Sequence, residues 1–302
     1  MPAPLPPNIL GASLLTGAWV FFTAEMVLVR ILSEHLSVPQ IVVFRLATQA
    51  IIFVPILVAS AGRVARTRHI GLHGLRALFS AVGMVLFYLA FSLLPLAMAT
   101  TLTFTQAAFM IVLAAVFLGE VISRRRIVAV VGGFVGVLVV MRPGFGGFQP
   151  AMLLALLGAL VSAGLMIVTR KLSMTEARMT VMFYSASLGL LLMAFPAALT
   201  WEPIAPEHWP YLAAIGLAGT TGQFMMIGAF QVSEASALAP VDYVRLIFAV
   251  AAGYMVFAEV PDVWTFVGSA IVVVSVVSIA TSGGPQGRLV RNGQTGSERS
   301  VR

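Results

Sequence analysis

Apolar residues run in blocks of roughly 20, the length that crosses a bilayer core as a helix, separated by short polar connections. Ten such blocks can be cut from the chain, at 9–31, 40–60, 74–94, 97–119, 126–142, 150–170, 179–199, 209–231, 236–258 and 263–281. The pattern predicts an all-α integral membrane protein with ten transmembrane helices. The connections are too short to hold a soluble catalytic or nucleotide-binding domain, so any chemistry belongs inside the bundle. The first block reads as a retained span rather than a cleaved signal, because MPAPLPPN carries no basic residue and Trp19, Glu25 and Arg30 interrupt the apolar run.

The blocks repeat at an offset of 139 residues. The stretch LAFSLLPLAMATTLTFTQAAFMIVLAAVFLGE, ending at Glu120, lies without gaps over GAFQVSEASALAPVDYVRLIFAVAAGYMVFAE, ending at Glu259. Ala90 falls on Ala229, Phe91 on Phe230 and Phe109 on Phe248; with one residue of slippage Arg30 meets Arg170. Each unit holds five spans, and an odd number turns the second copy upside down. Inverted repeats of this kind are the architecture of secondary transporters, with the substrate site where the repeats meet. The predicted organisation is a first repeat over 1–145, a second over 146–284 and a polar, Gly-rich tail over 285–302 that reads as disordered.

Charge adds orientation. Fourteen of the eighteen basic residues fall on one side of a ten-span chain: Arg63, Arg66, Arg68 and Arg76, Arg124 to Arg126, Arg170, Lys171 and Arg178, and the tail arginines. That side is cytoplasmic by the positive-inside rule, which places both termini in the cytoplasm and the chain in the cell membrane. The net charge of +7 is thereby a topology signal and not a nucleic-acid footprint. There is no cysteine, and His35, His69, His73 and His208 stand apart near predicted helix ends, so no metal site is expected. No phosphate-binding loop or metal-protease motif occurs, so no cofactor and no ATP-driven step are expected. An intramembrane enzyme acting on lipid head groups, the alternative from another class, would have to use His69, His73 and Arg76.

Two arginines lie inside spans, where an unpaired guanidinium is expensive. Arg245 is near the middle of the ninth block, with Asp242 one helical turn earlier and Tyr243 and Pro240 beside it. The repeat superposes Arg245 on Gln106 and Asp242 on Thr103, so a mid-membrane polar cluster of Arg245, Gln106 and Gln223 is expected, suited to a carboxylate, phosphate or carbonyl group. An intrahelical Asp242 to Arg245 ion pair is the structural alternative. Arg45 lies at the same depth as Glu25, which predicts a salt bridge, or a proton acceptor at Glu25 if that bridge opens. Trp19, Phe87, Tyr88, Phe104 and Tyr243 fall in the spans expected to line the cavity, and Trp19 stands out because tryptophan otherwise prefers the membrane interface. GGFVG at 132–136 is a small-residue face with two readings, packing within the bundle and a homodimer contact.

With these residues in view, the chain resembles the drug/metabolite transporter superfamily, in particular its EamA-type ten-span members. The resemblance rests on LLPLAMATTLTFTQAAFMIVLAAVFLGE leading into SRRRIVAVVGGFVGVLVVMRPG, and on its echo ALAPVDYVRLIFAVAAGYMVFAEVPDVWTFVGSAIVV. It implies a basket of spans one to four and six to nine, the fifth and tenth outside, working by alternating access without ATP. Ala107 stands where such chains often have proline, so the resemblance carries no proline break into the fourth span. Phe44, Arg45 and VDYVRLI look most like the riboflavin transporter subgroup, which makes a planar solute the leading expectation and an exporter of amino-acid-like metabolites or drugs the second.

Overall fold

The computed structural model describes residues 7–60, 62–118, 124–142, 148–173, 175–232, 241 and 244–281, and among them every long element is a helix. The helices are α1 (Pro7–Leu32), α2 (Val38–Ala59), α3 (Ile70–Leu93), α4 (Leu96–Thr103), α5 (Thr105–Leu118), α6 (Arg124–Met141), α7 (Ala151–Ser173), α8 (Arg178–Leu199), α9 (Trp209–Val232), α10 (Val244–Phe257) and α11 (Val263–Thr281). Seven helical segments are long and apolar enough to cross a membrane; Val130–Met141, Val244–Phe257 and Val263–Ser275 are apolar but shorter. Length and composition therefore support seven spans directly, against the expected ten. Most of the expected block 236–258 before Val244 lies outside the described residues, including Pro240, Asp242 and Tyr243, as do Glu120 and the tail.

The fourth block departs from expectation in a second way: it is α4 and α5, parted at Phe104, without any proline. A run of threonines breaks it. Thr103 and Thr105 donate their hydroxyls to the carbonyls of Thr100 and Leu102, both at 2.7 Å, and Thr101 donates to Ala97 at 2.8 Å. Hydroxyls bonding back to the preceding turn compete with the helical ladder and bend it. The Phe104 and Ala107 N–H groups accordingly reach only three residues back, to Thr101 and Phe104 at 3.2 Å.

Helix pairing crosses between the two halves of the chain. α1 lies along α9 and α3 along α7; α1 meets α10 and α7 meets α5; α2 packs on both α8 and α9, and α3 on α8. α4 meets α10, and α6 packs chiefly on α11. Exchanging the first five blocks for the second five turns this set of pairs into itself. The α6 to α11 seam uses the small-residue face: a methyl added to Gly136 would sit 2.9 Å from the Gly268 carbonyl oxygen, and one added to Gly268 would sit 2.7 Å from the Gly136 oxygen. Close backbone approach of this kind is what small residues permit between membrane helices, and here it joins two helices of one chain. Buried apolar residues of α3, α4, α6 and α7, among them Ala90, Leu102, Val140 and Met152, form one core cluster; Val29, Leu32, Ile41, Leu46 and Ile215 anchor another around α1, α2 and α9.

Candidate functional site

Arg45 on α2 is 4% exposed and Glu25 on α1 is 2% exposed, so neither charge can be met by water. They meet each other: Arg45 Nε donates to Glu25 Oε1 at 3.2 Å. The same carboxylate oxygen accepts the Tyr88 hydroxyl from α3. The remaining guanidinium nitrogens donate to Gln49 Oε1, one turn along α2, and to Gln223 Oε1 on α9 at 3.3 Å. Four helices from both halves thus converge on one hydrogen-bonded ion pair. Satisfying the fork of a buried guanidinium with planar acceptors is what allows it to remain charged in a low-dielectric bundle.

Glycine closes the lid on this network. A methyl at Gly219 would lie 2.5 Å from Glu25 Oε1 and 2.8 Å from Arg45 Nε, and one at Gly216 would overlap Thr48. α9 can press onto the ion pair only because those positions have no side chain.

Arg245, on the first turn of α10, is half-buried with its guanidinium carbon 4.0 Å from the centre of the Phe104 ring and 5.0 Å from that of Trp19. Both distances are within cation–π range. Phe104 is the residue at the α4/α5 break, so the break turns an aromatic face toward the arginine. Trp19 Nε1 is buried and has no hydrogen-bond partner among the described residues. Gln106 is half-buried two residues beyond Phe104. Gln223 is not in this cluster, contrary to the expected grouping: it bonds to Arg45. Tyr88, expected as a cavity-lining aromatic, is 2% exposed and serves as a donor to Glu25. Asp242 and Tyr243 lie outside the described residues.

Two features escaped the sequence reading. Gln49 stands four residues after Arg45, a spacing that could have announced it. Glu259, used above only for repeat register, binds Arg30. At the other end of the bundle His73 and Arg76 are buried, the His73 ring 4.6 Å from that of Tyr184 and its Nε2 3.9 Å from Glu176. Arg76 donates to the Thr169 hydroxyl at 3.0 Å and Thr67 donates to Glu176, so these residues tie α3 to the α7–α8 connection.

A bundle of membrane helices that gathers buried charges from both halves of its chain has the build of a membrane transporter. The chain belongs to the EamA-like transporter family, which matches residues 9–142 and 149–281. It is similar to an S-adenosylmethionine uptake transporter of Rickettsia bellii, 29% identical over 86% of this chain and 89% of the relative. It is likewise similar to a riboflavin transporter of Brucella anthropi, 27% identical over 78% and 86%, and to a pseudopaline exporter of Pseudomonas aeruginosa, 27% identical over 86% and 92%. The protein is thus a multi-pass membrane transporter of a small molecule and not an enzyme. That sets aside the head-group enzyme, and the His73–Arg76 cluster is left with its interhelical contacts.

Proposed function

We propose that this protein is a secondary transporter of the cytoplasmic membrane that carries a planar heteroaromatic metabolite by alternating access between two inverted five-span halves, 1–145 and 146–284, with both termini in the cytoplasm. The observation that carries the solute reading is Arg245 facing the rings of Phe104 and Trp19, with the buried Trp19 Nε1 lacking an acceptor among the described residues. A flat ring system bearing carbonyl or carboxylate groups can stack on the aromatic faces, accept from the indole and take the guanidinium fork. The pairing of helices, which maps onto itself when the halves are exchanged, supports the inverted repeat. The ten-span count follows if the three shorter apolar helices also cross. Similarity to riboflavin and S-adenosylmethionine transporters supports the choice of solute. Similarity to a pseudopaline exporter supports the second reading, export of an amino-acid-like metabolite.

Glu25 and Arg45 serve in this reading as a structural anchor for α1, α2, α3 and α9. The test is flux in proteoliposomes of purified protein, with riboflavin followed by fluorescence and S-adenosylmethionine by radiolabel. At least one is expected to cross faster than in protein-free vesicles, and Arg245→Lys to reach the membrane normally but lose about tenfold or more in flux, since an ammonium keeps the charge and loses the planar fork. Full flux in a well-expressed Arg245→Gln chain would remove Arg245 from the site. Absence of flux for both solutes and for a panel of amino-acid-like metabolites would overturn the transport assignment of this site.

A further inference from the structure

Arg30 occupies the last turn of α1, on the face of the bundle opposite the arginine-rich connections. Its Nη1 donates to the Leu94 carbonyl oxygen at 3.3 Å and to Glu259 Oε1, and its guanidinium carbon stands 4.3 Å over the Phe257 ring. The second carboxylate oxygen of Glu259 accepts the N–H of Leu96 at 3.0 Å. Leu96 is the first residue of α4, and its N-cap, Pro95, has no side-chain group to offer. Glu259 therefore supplies from the second half of the chain the cap that α4 lacks, with its charge at the positive end of the helix.

The chain is shaped to deliver that carboxylate. Ala258 takes a left-handed φ of 54°, and the Glu259 N–H closes on the Gly253 carbonyl oxygen at 3.0 Å, turning the backbone sharply off α10. A methyl on Gly253 would stand 2.8 Å from Glu259 Oε2, so glycine leaves the space in which the carboxylate lies. The two side chains are 21% and 15% exposed, buried enough for the contact to matter and close enough to the surface for water to receive them when it opens. α4 is an eight-residue piece set off from α5 by the threonine break.

We propose that Arg30 and Glu259 form a lock that holds the solute path shut on this face, by clamping the first turn of α4 to the ends of α1 and α10, and that releases when the path opens there. The proposal rests on the alternating-access reading above and adds the residues that gate one side. Ion pairs between bodies that move apart are a common bistable element in such transitions. In the repeat register Glu259 falls on Glu120 and Arg30 on Arg170, the same residue types at the opposite end of the inverted copy.

The test uses the full chain, which has no native cysteine. Ala90 and Ala229 fall on each other in the repeat, lie towards opposite faces, and are both 0% exposed, which makes Ala90→Cys and Ala229→Cys matched reporters. An impermeant maleimide is applied to intact cells for the first and to inverted membrane vesicles for the second. Introducing Glu259→Gln is expected to raise labelling at Ala90→Cys by about tenfold, the effect of losing one charge-assisted hydrogen bond from the closed state, while labelling at Ala229→Cys does not rise. Arg30→Gln should raise it less, because Glu259 still caps α4. No change at either reporter, or a rise at both as in a generally loosened fold, would overturn the lock.

If Glu259→Gln does not reach the membrane, Arg30→Cys with Glu259→Cys bridged by a short bifunctional thiosulfonate gives a second reading. The bridged protein is expected to stop carrying whichever of riboflavin or S-adenosylmethionine the unaltered chain carries, and to recover on reduction. Continued flux through the bridged protein would refute the lock with the transporter reading intact, whereas a failure of that reading shows as no flux in the unaltered chain.

Discussion

Replacing Glu25 by glutamine removes the countercharge of a guanidinium that is 4% exposed and lies well inside the bundle. Arg45 then keeps its acceptors Gln49 and Gln223 and faces a neutral amide oxygen where the Glu25 carboxylate stood. Breaking a buried pair by removing one partner costs about 3–5 kcal/mol, and the surviving acceptors put this site near the lower end, about 3 kcal/mol. Replacing both residues by glutamine leaves no charge at this site. Tyr88 can still donate to the amide oxygen at position 25, so the double variant should lose only about 1 kcal/mol. Equilibrium unfolding of purified protein in mixed micelles, titrated with sodium dodecyl sulfate, measures all three variants against the unaltered chain. The second substitution is expected to recover roughly 2 kcal/mol of the loss caused by the first. Losses that simply add would mean that the two charges are not coupled, and the account of the network as an ion-paired anchor would be wrong.

The glycine lid gives a steric version of the same test: Gly219→Ala should cost about 1–3 kcal/mol in that titration, since the added methyl meets Glu25 and Arg45 at 2.5 and 2.8 Å. Asp262, in the connection before α11, is pushed up by burial but held below its ordinary value overall by hydrogen bonds from Thr265 and by Arg142. A depressed carboxyl stabilises the fold above its unfolded value and loses that contribution as pH falls through the folded one, so Asp262→Asn should flatten the acid limb of stability below about pH 4. Cysteines at Glu202 and Ser282 should label from opposite sides of the membrane; same-side labelling would remove the inverted topology. Glu120 lies outside the described residues, but its register with Glu259 predicts that Glu120→Gln raises labelling at Ala229→Cys and leaves Ala90→Cys unchanged.

The membrane class, the helical fold and the family were all legible in the sequence, because a bilayer makes one demand of every spanning segment: about 20 apolar residues with the backbone satisfied internally. The cost of a bare guanidinium in that setting also singled out Arg45 and Arg245 before any contact was known. Partners were a different matter. Gln223 was equally available to either arginine along the chain, and only the seating of α9 over α1 and α2 gave it to Arg45. The break at Phe104 needed no proline, since hydroxyls of neighbouring threonines supplied the competing bonds. Arg30 and Glu259 are 229 residues apart, and each alone reads as an ordinary charge at a helix end. Hydropathy is written residue by residue and survives in one dimension; which buried polar group meets which is decided by the approach of helices from the two halves, and that approach exists only once the bundle has packed.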